Sequence, residues 1–216
     1  KTRTVYFAMT FSKPVQSYGY AQFKKQVYQG FWRRFNVTQN FPEMIGQNLR
    51  AYFNFKTEQD EQIKIKFALS PVSTTTALEN LRTETPSWDF AALKAKGQQQ
   101  WNRELNKIQV EALNKDDMTN FYTAMYHTFL GPTVYSDLNG QYKGLDQNVH
   151  TTNNFTNYTT FSLWDTYRTL HPFFNLVQPQ RNSDMIQSML AHQQQSAHKM
   201  LPVWSHYANE NWCMSG

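Results

Sequence analysis

The spacing of apolar positions changes once along the chain, from alternation in its first third to steps of three and four beyond it. Val5, Phe7, Met9 and Phe11 alternate with Thr4, Tyr6, Ala8 and Thr10, the period of a half-buried strand, and Ser12-Lys13-Pro14 ends it. Residues 15–48 carry little periodicity and are punctuated by Gly19, Gly30, Pro42 and Gly46, which predicts loops with short strands. Ala51, Phe53 and Phe55 alternate with Tyr52 and Asn54. After a charged turn at 57–61, Ile63, Ile65, Phe67 and Leu69 alternate around Lys64 and Lys66. These two segments predict an antiparallel hairpin with one wet face.

After Pro71 the pattern is helical. Ser73 is placed to cap a short helix carrying Ala77, Leu78 and Leu81, and Asp89 a longer one whose apolar positions run from Phe90 and Leu93 to Trp101, Leu105 and Ile108. Gly97 costs the longer helix about 1 kcal/mol relative to Ala, so close packing is expected there. These helices read as a connector between a β layer and an α layer. From Asp116, Met118, Phe121, Tyr122, Met125, Tyr126 and Phe129 form a broad apolar face that stops at Gly131-Pro132. Residues 133–160 form a long connection in which Asn139-Gly140 predicts a turn between short strands, and long connections commonly bind ligands. Ser183 is placed to cap a last helix through Ile186, Met189, Leu190, Gln193, Ala197 and Met200, closed by Pro202. Successive helices joined by loops predict an array of α-hairpins.

The stretch from Phe161 to Pro172 concentrates the chemistry. Asp165 and Arg168 lie three apart beside Trp164, and residues at that spacing are neighbours on a helix face; Leu163, Tyr167 and Leu170 form an apolar stripe beside them. Pro172 is expected to end or kink the helix. A carboxylate next to indole needs a partner, and Arg168 is the obvious one. Spacing leaves two readings open: an ion pair among core aromatics, or a sugar site in which Asp165 accepts hydrogen bonds from hydroxyls while Trp164 covers the C–H face of the ring.

Composition sharpens this. Aromatic residues make up 16% of 216 residues, which suits a core or a carbohydrate surface. The net charge of +5 is scattered, with only Lys24-Lys25 and Arg33-Arg34 as pairs, and does not form the clustered face that nucleic acid requires. The single cysteine, Cys213, excludes an internal disulfide framework. No run reaches the roughly 20 apolar residues of a membrane span, and no signal peptide is seen. Both ends read as cut, so a piece of a longer polypeptide is expected. No HExxH, paired CxxC, GxSxG or phosphate-binding glycine loop occurs; His192 and His198 fall on different helix faces, and His127 reads as a core histidine. Asp137-x-Asn139-Gly140 departs from a calcium-binding EF-hand, having Asn148 where that loop needs Glu. Asn36-Val-Thr38, Asn154-Phe-Thr156 and Asn157-Tyr-Thr159 match the glycosylation acceptor pattern, relevant only in a eukaryotic secretory route. What remains is Asp165, Glu210, Asp137 and Asp146 among aromatics. Glycoside hydrolysis needs two carboxyls roughly 5–10 Å apart, and Glu210, between Trp204 and Trp212, has the surroundings of an acid with a raised pKa or of an ordinary loop glutamate.

These residues resemble glycoside hydrolase family 92, the calcium-dependent exo-acting α-mannosidases. The matching stretches are Val5-Tyr-Phe-Ala-Met-Thr-Phe-Ser-Lys-Pro14, Ser70-Pro-Val-Ser-Thr-Thr-Thr-Ala-Leu-Glu-Asn80, Trp88-Asp-Phe90, Trp101-Asn-Arg-Glu-Leu105, Phe121-Tyr-Thr-Ala-Met-Tyr126, Ser136-Asp-Leu-Asn-Gly-Gln-Tyr142, Phe161-Ser-Leu-Trp-Asp-Thr-Tyr-Arg168, Leu201-Pro-Val-Trp204 and Cys213-Met-Ser-Gly216. They follow the family's order along nearly the whole chain, and the Ser-Leu-Trp-Asp-Thr-Tyr-Arg run is the most specific. The resemblance implies an α+β architecture: residues 1–70 as the end of an N-terminal β-sandwich, 71–110 as linker helices and 111–216 as the first hairpins of an α/α toroid. It implies that Asp165 holds a hydroxyl of a terminal mannose with Arg168 as support, with Trp164 beside them, and that Trp204, Glu210, Trp212 and Cys213 lie near the pocket. The family's general acid, its base carboxylates, its His-Glu-Pro-type loop and most of its calcium ligands have no counterpart here. No catalytic residue and no metal ligand is therefore assigned within these residues, and a fragment inactive alone is expected. The partners implied are a mannose-containing glycan, with N-glycan processing as the setting, and the rest of the same polypeptide. A bacterial source and a periplasmic or extracellular location follow from the resemblance only. Another α/α-toroid glycosidase or phosphorylase, or a non-catalytic carbohydrate-binding protein, is the alternative.

Overall fold

The computed structural model describes residues 4–22, 49–159, 163–196, 199 and 201. Two compact units emerge, Met9–Lys66 and the combination of Lys1–Ala8 with Phe67–Gly216. Strands and helices are both present, with the strands concentrated early in the chain. The expectations that fall on residues 23–48 and 202–216 lie outside the described residues.

Four strands open the fold: β1 (Tyr6–Phe11), β2 (Ser17–Gln22), β3 (Leu49–Asn54) and β4 (Ile65–Ser70). The expected hairpin between residues 51–55 and 63–69 does not form. Instead β3 pairs antiparallel with β2, placing Ser17 opposite Asn54 and Gln22 opposite Leu49, and β4 pairs with β1. Gly19 faces Tyr52 in this register, and a Cβ there would lie 2.3 Å from the tyrosine hydroxyl oxygen, so a larger residue would have to displace that ring. Asn54 Nδ2 donates to Ser17 Oγ at 2.9 Å. Phe11 stands against Phe53 and Phe55, with ring centroids 4.9 and 5.1 Å away. The segment between β3 and β4 is occupied by the Lys13–Glu61 ion pair at 2.6 Å and by Ser12 Oγ accepting from the Lys64 amide, which ties that turn to the end of β1.

The alternation of β4 is as expected, but its inward face is the opposite one. Ala68 and Ser70 are buried, whereas Ile65, Phe67 and Leu69 are exposed. Alternation separates two faces without saying which is covered, and Ser70 is drawn inward by polar partners described below. Phe67 instead stacks on Phe7 with centroids 5.5 Å apart.

Ser73 caps α1 (Thr74–Glu84) in a capping box with Thr76, and Thr76, Ala77, Asn80 and Leu81 are buried. Asp89 caps α2 (Phe90–Leu105) by accepting from the Ala92 amide. No residue of α2 is buried, and a Cβ at Gly97 would meet nothing within 4 Å; the close packing expected at Gly97 is absent because the stripe of α2 is left open here. α3 (Lys115–Thr128) is capped by Asn114 and buries Met125. His127, expected in the core, is exposed, since a step of two from Met125 carries it to the opposite side of the helix.

In the long connection Val134 bridges to Tyr158. The turn at Asp137–Gly140 leads into β5 (Gln141–Lys143), which pairs antiparallel with β6 (Val149–Thr151). The Asn139-Gly140 turn thus precedes the hairpin instead of closing it. Gly140 has φ +79°, and a Cβ would lie 2.4 Å from the Thr152 carbonyl oxygen.

The central stretch is two helices, α4 (Leu163–Thr166) and α5 (Leu170–Val177), separated by Tyr167–Thr169. Pro172 lies in the first turn of α5, so the break falls ahead of it. Its ring would collide with the carbonyl of Arg168 in a continuous helix, and it has no N–H to offer that carbonyl. α6 (Pro179–Gln195) begins with Pro at its first position, a favoured arrangement. Ser183 is therefore inside this helix and caps nothing. Tyr158, Phe174 and Met185 form the core, with Phe129, Leu163, Leu170, Phe173, Val177 and Met189 packed around them. His171 Nδ1 and Asn182 Oδ1 lie 2.7 Å apart, and Asn182 Nδ2 donates to Asn175 Oδ1 at 2.7 Å, joining α5 to α6.

Candidate functional site

The chain places its singled-out carboxylates in three settings. Asp165 stands on α4, exposed, with no hydrogen bond or ion pair to any other described residue. Leu163 and buried Thr166 dock the helix from below, which turns Asp165 outward. Arg168 lies in the break, also exposed. Its Nε donates to the Tyr167 hydroxyl at 2.7 Å, and its guanidinium carbon sits 5.5 Å from the Tyr167 ring centroid. The expected Asp165–Arg168 ion pair is therefore not formed among the described residues. The helix that would have set the two on one face stops at Thr166, and Arg168 turns to the neighbouring ring. Trp164 belongs to α4 by its backbone. Trp204, Glu210, Trp212 and Cys213 lie outside the described residues.

Asp137 is the reverse case. It is buried; Ser70 Oγ donates to Oδ2 at 2.6 Å, and Asn80 Nδ2 to Oδ1 at 2.8 Å. Asn80 Oδ1 in turn accepts from the Leu138 amide at 3.2 Å, and Thr76 Oγ1 is 2.8 Å from Ser70 Oγ. Strand β4, helix α1 and the 137–140 turn are thus joined by one enclosed polar network. A buried carboxylate with both oxygens engaged is built to hold structure, not to move protons.

Asp146 is exposed and lies beside His150. His150 Nε2 lies 3.0 Å from each Asp146 oxygen, and the Asn148 amide donates to Oδ1 at 3.0 Å. Burial pushes the Asp146 carboxyl up, but the hydrogen bonds from His150 and Asn148 outweigh it and hold the acid below its usual range. The His150 ring stacks on Tyr142 with centroids 5.7 Å apart, and Gln195 Nε2 donates to the Tyr142 hydroxyl at 2.7 Å. The cluster pins the β5–β6 hairpin to the end of α6. The legible signal was the pairing of an Asp with a His four residues on, brought together by the tight turn.

Calcium takes six to eight oxygen ligands. Among the described residues no group of three His, Cys, Asp or Glu side chains converges as a metal site. The two enclosed aspartates are already committed to donors: Asp137 as above, and Asp184 to the Thr156 amide at 3.3 Å and to Gln180 Nε2 at 3.1 Å. The resemblance implies that most ligands of that ion lie outside these residues, and the enclosed aspartates described here are engaged with other donors.

The profile of the glycosyl hydrolase family 92 catalytic domain matches residues 76–216, a span that starts within α1 and runs past α6. The chain belongs to glycosyl hydrolase family 92. Solved members of the family extend the match to the strands. The GH92 alpha-mannosidase BT3965 of Bacteroides thetaiotaomicron aligns with TM-score 0.87 and 46% identity over 99% of this chain, and its complex with mannoimidazole gives 0.85 and 45% over 98%. The family GH92 inverting mannosidase BT2199 of Bacteroides thetaiotaomicron aligns at 0.83 with 27% identity over 98%. The chain spans 28% of the length of BT3965 and 27% of BT2199. Among curated proteins the chain has no match. Family 92 is a glycosidase family with α-mannosidases among its solved members, so the outward-facing Asp165 on α4 sits in a domain of sugar-cleaving enzymes.

Proposed function

We propose that this chain is part of an α-mannosidase that releases terminal α-linked mannose from glycans with inversion, and that Asp165 accepts a hydrogen bond from a mannose hydroxyl. The observation that carries the proposal is the 46% identity to the BT3965 mannosidase over 99% of the chain. A bare, outward carboxylate is what a hydroxyl-binding role needs, because a charged acceptor held ready for the ligand strengthens its hydrogen bonds. Arg168, turned to Tyr167, supports the segment that carries Asp165, and Trp164 supplies an apolar face for the ring. Trp204, Glu210, Trp212 and Cys213 contribute to the same pocket.

Inversion uses one carboxyl as acid and another as base, roughly 6.5–9.5 Å apart with room for a water. We place both in polypeptide beyond these residues, together with most ligands of a calcium ion, so that this stretch binds and orients while the remainder breaks the bond. Under the same reading residues 1–70 close a β-sandwich, 71–110 link it, and 111–216 open an α/α toroid. The whole enzyme works outside the cytoplasm on glycans reaching a bacterial cell.

The test is hydrolysis by the full-length polypeptide of α-linked mannobiose and of α-glucosides. Mannose release, lost on calcium chelation and reduced about 100-fold in kcat/KM by Asp165→Ala, is the expected result. Preference for glucosides overturns the mannose reading, and unchanged rates for the variant remove Asp165 from the site. Turnover by residues 1–216 alone overturns the division of labour.

A further inference from the structure

A concave site lies where α2 faces the aromatic core. A cavity of about 440 Å³ is lined by Trp101 of α2, by Glu104, by Arg181 of α6 and by the aromatic floor of Tyr158 and Phe174. Its volume is within the roughly 300–1,000 Å³ of small-molecule sites, and its lining has their pattern of apolar walls with a few convergent polar groups. Asp165 is not among the lining residues.

The charges define the ligand. Glu104 Oε2 accepts from Lys107 Nζ at 2.8 Å and from Gln178 Nε2 at 2.5 Å. Burial pushes its carboxyl up, but these hydrogen bonds and the positive charge of Arg181 outweigh that and keep it ionised. Its Oε1 accepts no hydrogen bond from any described residue, and Arg103 Nε lies 3.9 Å from it. The wall therefore offers a vacant anionic acceptor beside guanidinium donors. An anionic ligand would meet Glu104, and a cation would meet Arg103 and Arg181, so opposite charges within one cavity favour a neutral ligand rich in hydroxyls. Trp101 supplies the apolar half. Its indole is partly exposed and is held by Tyr126, with ring centroids 4.5 Å apart, leaving a rigid plate for the C–H face of a ring.

We propose that this cavity binds a neutral pyranose of the glycan, stacked on Trp101 and hydrogen-bonded to Glu104 Oε1 and Arg181. The assignment rests on the glycan-processing reading above, and it is read by binding, not by turnover. The experiment titrates the full-length polypeptide with methyl α-mannoside and α-linked mannobiose by ligand-observed NMR, in an Asp165→Ala background that weakens the other site. Saturable binding should persist in that background, weaken about tenfold with Trp101→Ala and stay within about threefold with Trp101→Phe. Recovery by phenylalanine marks stacking, which a variant that merely misfolds would not reproduce. Equal affinity of Trp101→Ala and its parent, or no saturation by about 50 mM sugar, overturns the proposal. Neither result touches the hydrolysis experiment, and a preference for glucosides in that experiment leaves this titration intact.

Discussion

Asp137 and Asp165 are the same side chain within one compact unit, in opposite circumstances. Asp137 is closed in by Ser70 and Asn80 with both oxygens engaged, whereas Asp165 has neither cover nor partner among the described residues. The sequence gives both the same company, a carboxylate close to aromatic and hydroxyl residues. The difference lies in whether the chain itself supplies the hydrogen-bond donors. Where it does, the aspartate is part of the frame; where it does not, the carboxylate is left to water or to a ligand.

The contrast is broken most directly at the enclosed side. Asp137→Ala leaves the Ser70 hydroxyl and the Asn80 amide buried without their acceptor, and should lower unfolding stability by about 3 kcal/mol. A urea midpoint like that of the parent would show that the network carries no weight. His192 offers a comparable test by pH. Burial pushes its imidazole from 6.5 down to about 4, so between those values the unfolded chain binds more protons than the folded one. Its contribution is fully present above pH 6.5 and is lost as pH falls toward 4, by about 3 kcal/mol in total. Denaturation midpoints over that window should flatten in His192→Gln, and an unchanged slope assigns the acid sensitivity to other groups.

The exposed side should respond in activity instead. Asp165→Asn is expected to leave stability within about 0.5 kcal/mol of the parent while full-length mannoside hydrolysis drops; calorimetry showing a large loss of stability would move Asp165 into the frame with Asp137. The smallest effect is expected at α2. Gly97 meets nothing that a methyl group would displace, so Gly97→Ala should raise stability by about 0.5–1 kcal/mol. A lower thermal midpoint would reveal a neighbour in the whole polypeptide.

What could be read from the sequence was local. Ser73 and Asp89 act as caps because the cap and the amides it satisfies lie within three residues of each other. Strand pairing was not legible, because β2 sits in an aperiodic stretch and its partnership with β3 is a backbone register in which Gly19 makes room for the Tyr52 ring. The inward face of β4 was equally hidden, since Ser70 is pulled in by Asp137, far along the chain. Pro172 was recognised as a breaker, but its effect falls on the preceding turn, and the inference that Asp165 and Arg168 share a face failed with the continuous helix it assumed. The family motifs were recognisable because whole runs of residues match, whereas the vacancy at Glu104 Oε1 depends on how α2 and α6 meet.

A helix of a single turn has no independent existence in water, and α4 spans only Leu163–Thr166. Its placement is inherited: Leu163 packs against the cluster of Tyr158, Phe174 and Met185, so the aim of the carboxylate above it is calibrated by the apolar groups beneath. Trimming those apolar groups would detune recognition from beneath.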